Sequence, residues 1–316
     1  MPPTAQFPDE QSDDGNFERQ EDAFRDWIEA DASARYPAAA GRYHLYVCYA
    51  CPWAHRIIIA RQLKGLGDTI GMTAVDPWRD EKGWAFRDGD GFSKDPVNGF
   101  EYLSEAYLAS DSDYRGRHTV PVLWDKQSKR IVTNSDDDLL RILNTEFNAF
   151  AQNAALDLYP ESHREEINKV NELVYEKVNN GVYRAGFATT QSAYEEAFEP
   201  LFATLGALDG RLAHQRYLVG DALTEADIRL FVTLVRFDAV YFGHFKCNRQ
   251  RITDYTHLSG YVRDIYQIPG VAETVRIDHI KRHYYATHTD INPTAIVPLG
   301  PELDFTSPHH RAKLAD

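Results

Sequence analysis

The sequence predicts an α/β domain on a small mixed sheet, followed by an all-helical domain. Three observations carry that reading. Residues 44–76 pattern as strand, helix and strand, and residues 118–147 as strand, turn, strand and helix. Beyond residue 155 the apolar residues keep helical spacing throughout. A chain of 316 residues also exceeds the usual size of one domain and fits two. The βαβ–ββα order of the first half is that of a thioredoxin-like fold. The expected boundaries are an N-terminal arm over 1–38, a thioredoxin-like domain over 39–150, a helical domain over 151–289 and a C-terminal tail over 290–316.

Composition narrows the function classes. A hydrophobic content of 43% against 26% charged residues supports a packed core rather than a disordered chain. The net charge of −14, with no basic face interleaved with aromatics, argues against nucleic acid. No apolar run is long enough to span a bilayer, and residues 1–30 are acidic and polar rather than a signal peptide, so no membrane partner is expected. Three cysteines form no disulfide framework, which favours a reducing, cytoplasmic compartment. The histidines show no zinc-site spacing. His244 and Cys247 form an H-x-x-C without a second pair, so no metal is expected.

The elements follow in order. The acidic arm is read as irregular, with a short helix near Arg19 to Glu29. Strand 44–48, helix 53–66 and strand 70–76 come next, then a polar insert over 87–114 rich in Asp, Gly and Ser. Pro121 interrupts the apolar run after His118, which argues for a turn ahead of the strand and a cis peptide between Val120 and Pro121. Ile131 begins another strand. Ser135 opens a helix to about Phe147, with Asp138 three residues on in a capping-box pattern. Helices are expected at about 161–180, 191–213, 224–239, 254–267 and 269–282, the third carrying a capping box of Thr224 and Asp227. The tail from Asp290 is extended and its last residues loose.

Cys51 is the residue with chemistry. A strand leads into it and Pro52 follows at the first helical position, where a missing N–H costs nothing. A sulfur at the positive end of a helix is favoured as thiolate. Ala54 stands where a dithiol enzyme carries its second cysteine, so one protein thiol would work with a thiol borrowed from a small molecule. Cys48 completes a Cys-x-x-Cys spacing but lies on the strand side of the turn, where packing is the expected role.

Several strings are more specific than the fold. Tyr49-Ala-Cys-Pro-Trp-Ala-His-Arg56, Asp76-Pro77 with Glu81-Lys-Gly-Trp84, Thr119-Val-Pro-Val-Leu-Trp-Asp125, Gly243-His-Phe-Lys-Cys-Asn248, and His283-Tyr-Tyr285 followed by Ile291-Asn-Pro-Thr294 resemble the glutathionyl-hydroquinone reductases, the Xi class of glutathione transferases. The match covers roughly residues 15–302 and both domains. The resemblance implies the soluble glutathione transferase fold and a reaction in which a glutathionyl-hydroquinone and glutathione give hydroquinone and glutathione disulfide. Cys51 would attack the thioether sulfur, and a second thiol would resolve the mixed disulfide.

The resemblance also assigns residues. Trp84, Arg117, the backbone of Val120, Ser135 and Asp136 would hold the thiol cosubstrate. Tyr183, Tyr241 and Tyr284 would receive the hydroquinone, their rings stacking and their hydroxyls meeting its oxygens. One departure stands out. The family has Glu-Ser where this chain has Ser135-Asp136, and Asp136 begins a run of three acids. The cosubstrate is therefore either glutathione in a shifted geometry or another low-molecular-weight thiol. The resemblance implies a homodimer. The competing readings are an omega-like thioltransferase or dehydroascorbate reductase, which would share Cys51 without the tyrosines, and a noncatalytic ligand carrier, which has no use for such a thiol.

Overall fold

A computed structural model describes residues 10–315. Two compact units emerge. One gathers residues 10–19, Leu158–Ala272 and residues 284–315; the other comprises Gln20–Asp157 and Glu273–His283. Compactness thus divides the chain elsewhere than the expected cuts after residues 38, 150 and 289: the arm is shared, and 273–283 goes with the thioredoxin-like unit.

That unit runs β1 Tyr43–Val47, α1 Pro52–Leu63, β2 Gly71–Ala74, α2 Leu103–Ser110, β3 Val122–Asp125, β4 Arg130–Thr133 and α3 Asp136–Thr145. The sheet order is β2-β1-β3-β4, with β1 and β2 parallel and the other pairs antiparallel. A parallel pair needs a crossover, and α1 supplies it. All five residues of β1 are buried, as befits a strand inside a sheet. Helix α1 is buried from Pro52 to Ala60, which explains a sequence apolar nearly all round. Gly71 pairs with His44 across the parallel ladder, and a Cβ there would meet the His44 Nδ1 at 2.5 Å.

Three expectations need correction here. The insert 87–114 contains a helix, α2, so the order is βαβαββα. Glu105 accepts the N–H groups of Glu101 and Tyr102, both at 2.9 Å, and closes a capping box, while Leu103, Ala106 and Tyr107 bury one face. The helix expected near Arg19 to Glu29 is extended instead. Asp26 donates to the Val132 carbonyl (3.0 Å), Asn134 to that of Phe24 (3.1 Å), and Phe24 to the Asn134 side chain (2.9 Å). The segment is recruited as cover for the edge strand β4, and edge pairing outweighs local propensity. At Ser135 only half of the capping box forms: its Oγ accepts the Asp138 N–H (3.3 Å), but the Asp138 carboxylate turns to Arg25 (2.7 and 2.8 Å).

The helical unit contains α4 Arg164–Val174, α5 Gly181–Gly186, α6 Gln191–Arg211, α7 Glu225–Arg236 and α8 Leu258–Tyr266; α9 Ile277–Thr287 enters it at Tyr284. The capping box at Thr224 forms as expected, with Asp227 also accepting from Leu218 N–H (2.8 Å) and the Tyr261 hydroxyl (2.9 Å). Two π-helical turns interrupt the helices, Tyr175–Asn179 after α4 and Phe237–Tyr241 after α7. Among the described residues the tail is anchored at Arg311. Arg311 is buried and donates to the carbonyls of Leu212, the C-cap of α6, and of Gln215 and Arg216 in the turn beyond it, at 2.7–2.9 Å.

Candidate active site

Cys51 is the N-cap of α1 with Pro52 directly after it. Its carbonyl accepts the His55 N–H (3.0 Å), and its own N–H donates to the Cys48 carbonyl (3.1 Å), closing the turn that ends the strand. The side chain is half-buried, while Cys48 and Cys247 are fully buried. The Cys51 thiol points at the Val120 carbonyl, 3.5 Å away, beside the cis Val120–Pro121 peptide. Two expected residues are thereby brought together: the thiol and the backbone group expected to hold a cosubstrate cysteine.

Ser135 and Asp136 stand side by side at the start of α3, where a carboxylate also complements the helix dipole. Sequence reasoning missed their organiser. Arg56, one turn into α1, donates to Asp136 at 2.7 Å and lies 3.6 Å from Asp137, with its guanidinium carbon 4.5 Å from the Trp53 ring centroid. With Asp138 held by Arg25, each of the three consecutive acids has an arginine partner, and their mutual repulsion is relieved. The missing signal was three-dimensional, since α1 and α3 pack against each other although they are distant in sequence.

Trp84 is 6% exposed and stacks on His283, with centroids 4.9 Å apart and planes at 26°. Its indole is part of a packed aromatic pair rather than a surface tryptophan. His283 is fixed in turn by its Nδ1 contact with the Pro77 carbonyl (2.8 Å), which ties together the Asp76-Pro77, Trp84 and His283 strings. Arg117 is half-buried in the loop before Pro121, and its carbonyl accepts the Tyr114 hydroxyl (2.7 Å).

In the helical unit the three tyrosines meet. Tyr284 lies between the other two: its hydroxyl hydrogen-bonds the Tyr183 hydroxyl at 2.5 Å and the Tyr241 hydroxyl at 2.9 Å. Both π-turns serve this meeting, since one leads into the helix carrying Tyr183 and the other ends on Tyr241. Phe187 and Phe245 close around the rings, with Tyr183–Phe187 centroids at 5.9 Å and Tyr183–Phe245 at 5.5 Å. Burial pushes the phenols of Tyr241 and Tyr284 well above the usual tyrosine range. Tyr183 is the most open of the three at 9% exposed. His244 does not join Cys247 as a ligand pair. It contacts His288 (Nε2 to Nδ1, 3.2 Å), while Cys247 points to the Phe245 carbonyl and burial pushes its thiol far up. Among the described residues no group of three His, Cys, Asp or Glu side chains could hold a metal ion.

The glutathione S-transferase N-terminal domain model matches residues 50–146, and the glutathione S-transferase C-terminal domain model matches 191–264. The chain is 48% identical over 310 residues to the glutathionyl-hydroquinone reductase YqjG of Escherichia coli, covering 96% of this chain and 94% of that one. It is 51% identical over 295 residues to the glutathionyl-hydroquinone reductase PcpF of Sphingobium chlorophenolicum, covering 93% and 92%. The solved Xi-class transferase of Natrialba magadii superposes with a TM-score of 0.90 at 52% identity, over 92% of this chain and 89% of that one. The chain belongs to the Xi class of glutathione transferases. The glutathione-bound structure of YqjG matches it with a TM-score of 0.88 at 49% identity, over 92% and 96% of the two chains. The matched lengths span residues of both units.

Proposed function

We propose that the protein is a glutathionyl-hydroquinone reductase using Cys51 as nucleophile and glutathione as cosubstrate. The observation that carries the reading is the placement of Cys51: half-open, at a proline-started helix N-terminus, with the Val120 carbonyl 3.5 Å from its sulfur. The Cys51 thiolate attacks the sulfur of the aryl thioether, forming a Cys51–glutathione disulfide and releasing the ring carbon with the bonding pair. That carbon takes a proton, most easily through the keto tautomer of the hydroquinone. A second glutathione thiolate then attacks the glutathionyl sulfur of the mixed disulfide, giving glutathione disulfide and restoring Cys51.

The other groups have roles in this scheme. The Val120 carbonyl that now accepts the thiol would accept the cysteinyl N–H of glutathione, freeing the sulfur for ionisation. Asp136, with Ser135 beside it, would pair with the γ-glutamyl ammonium; Arg117 would take a carboxylate, and Trp84 would flank the peptide. Tyr183, Tyr241 and Tyr284 would bind the quinol oxygens and donate to the ring as it is released. The glutathione found bound to the Escherichia coli relative supports glutathione over another small thiol. The tyrosine network favours this reading over an omega-like thioltransferase, which needs no phenol array.

The test is incubation with glutathionyl-menadiol and glutathione beside a Cys51→Ala variant. Free menadiol should appear with the parent protein and vanish with the variant; release that persists in the variant removes Cys51 from the mechanism. The reading extends to a cytoplasmic homodimer, on the resemblance and on three free cysteines suited to a reducing compartment. Light scattering in solution should return twice the chain mass, and a monomer mass rejects that part.

A further inference from the structure

The N-terminal arm reaches the tyrosine network. Residues Ser12–Asn16 form a closed turn, with Ser12 N–H donating to Asn16 (2.9 Å) and Gly15 N–H to Ser12 (3.0 Å). The turn is seated on the start of α6. Thr189 N–H donates to the Gly15 carbonyl (3.2 Å), and the Thr190 hydroxyl donates to that of Asp14 (2.9 Å). Gly15 has φ +91, and a Cβ there would meet Thr190 Cγ2 at 2.7 Å, so both the conformation and the close approach require glycine. Arg184 reaches back to the Asn16 side chain (3.4 Å), and buried Phe17 packs on Phe187 (5.4 Å). Two residues later the guanidinium carbon of Arg19 lies 5.3 Å from the Tyr183 ring centroid, within cation–π range.

The surroundings give that cation a purpose. Negative charge on the linked phenols is costly in so buried a setting. Around Tyr183, Phe187 and Phe245 are apolar, and Tyr241 and Tyr284 are neutral phenols with raised pKa values. His244 is held neutral by burial, its pKa lowered to about 4, and is paired with His288. Arg184 is engaged with Asn16. Arg236 of α7 is fully buried, donates to the Val232 carbonyl, and eases ionisation at Tyr241 and Tyr284. Arg19 lies over the ring face of Tyr183.

We propose that Arg19 is a positioning residue of the tyrosine network, held by the docked arm so that its charge favours Tyr183 as the phenol that donates its proton. As a role in catalysis this rests on the reading of the tyrosines as the hydroquinone-side acids; the electrostatic effect on Tyr183 does not. With Arg19 in place, the negative charge left on the Tyr183 oxygen is stabilised through the ring, and the proton returns through Tyr284. Lysine at position 19 keeps the charge; glutamine keeps a polar stem and loses it.

The test uses the full chain with Tyr183→3,5-difluorotyrosine, whose fluorines bring the phenol into a measurable range and report its ionisation by fluorine NMR. Arg19→Gln should raise the Tyr183 midpoint by about one pH unit, a tenfold loss in ionisation constant, and Arg19→Lys should hold it within a few tenths. In the unlabelled protein Arg19→Gln should lower kcat for glutathionyl-menadiol about tenfold and leave KM for glutathione unchanged. An unmoved midpoint in Arg19→Gln overturns the proposal. Equal shifts in Arg19→Gln and Arg19→Lys overturn it as well, assigning Arg19 to packing of the arm. A parent protein without turnover rejects the hydroquinone reading, while the NMR comparison still decides the electrostatic role of Arg19.

Discussion

The Tyr284 hydroxyl hydrogen-bonds both the Tyr183 and the Tyr241 hydroxyls, so the three form one linked chain. Converting Tyr183→Phe removes the outermost hydroxyl and leaves Tyr284 one partner short in a buried place. A lost hydrogen bond of this kind is worth roughly 1–3 kcal/mol, which is about tenfold to a hundredfold in rate if it acts on the transition state. Cleavage of glutathionyl-menadiol should fall by that factor. Reduction of a simple mixed disulfide such as that of glutathione and 2-mercaptoethanol needs only Cys51 and the glutathione groups, and should be unchanged. Assaying both reactions on one preparation decides the matter: parallel loss would mean the phenols support Cys51 chemistry generally.

At the scale of elements the two π-turns set the tyrosines in register. In each, an N–H reaches back five residues: Asn180 to Tyr175 (2.8 Å) and Phe242 to Phe237 (2.9 Å). Such a turn inserts one residue and rotates the downstream side chains by about 100° relative to an unbroken helix. Deleting Ala239 should restore the ordinary helical ladder and swing Tyr241 away from Tyr284. Conjugate cleavage should then drop about tenfold or more while circular dichroism and mixed-disulfide reduction stay near the parent values. Retained conjugate cleavage would show that the π-turn is incidental. These turns also mark where sequence reading stops. The Cys51 turn is legible because strand, proline and helix signals are contiguous, and the Thr224 cap because its partner lies three residues on. A π-turn has no such local signature. Helix α2 is hidden in a polar insert whose few apolar residues gain their meaning only on burial. The charged segment at 19–29 reads as a helix in isolation because its pairing partner, β4, lies more than a hundred residues away.

At the scale of the whole molecule, contacts between residues far apart in sequence also hold the helical unit together. Arg311 caps the end of α6 from the far end of the chain, Arg19 meets Tyr183 from the other, and His244 meets His288 across the aromatic cluster. The burial of His244 makes stability depend on pH. Burial lowers the His244 pKa from 6.5 to about 4 in the folded protein. Between those values the unfolded chain binds a proton that the folded one does not, so stability rises with pH through that window and is lost as pH falls. At pH 7 both states are neutral and the contribution is intact. By pH 5 the 1.5-unit descent below the unfolded value costs on the order of 2 kcal/mol. His244→Gln keeps an amide able to face His288 and removes the titration. Urea unfolding of parent and variant at pH 7 and pH 5 isolates the term, since other titrating groups contribute to both proteins alike. The parent should lose about 2 kcal/mol more than the variant on acidification. Equal losses would mean that His244 is protonated within the fold, and that the stacked cluster of His244, Phe245 and His288 tolerates a buried charge.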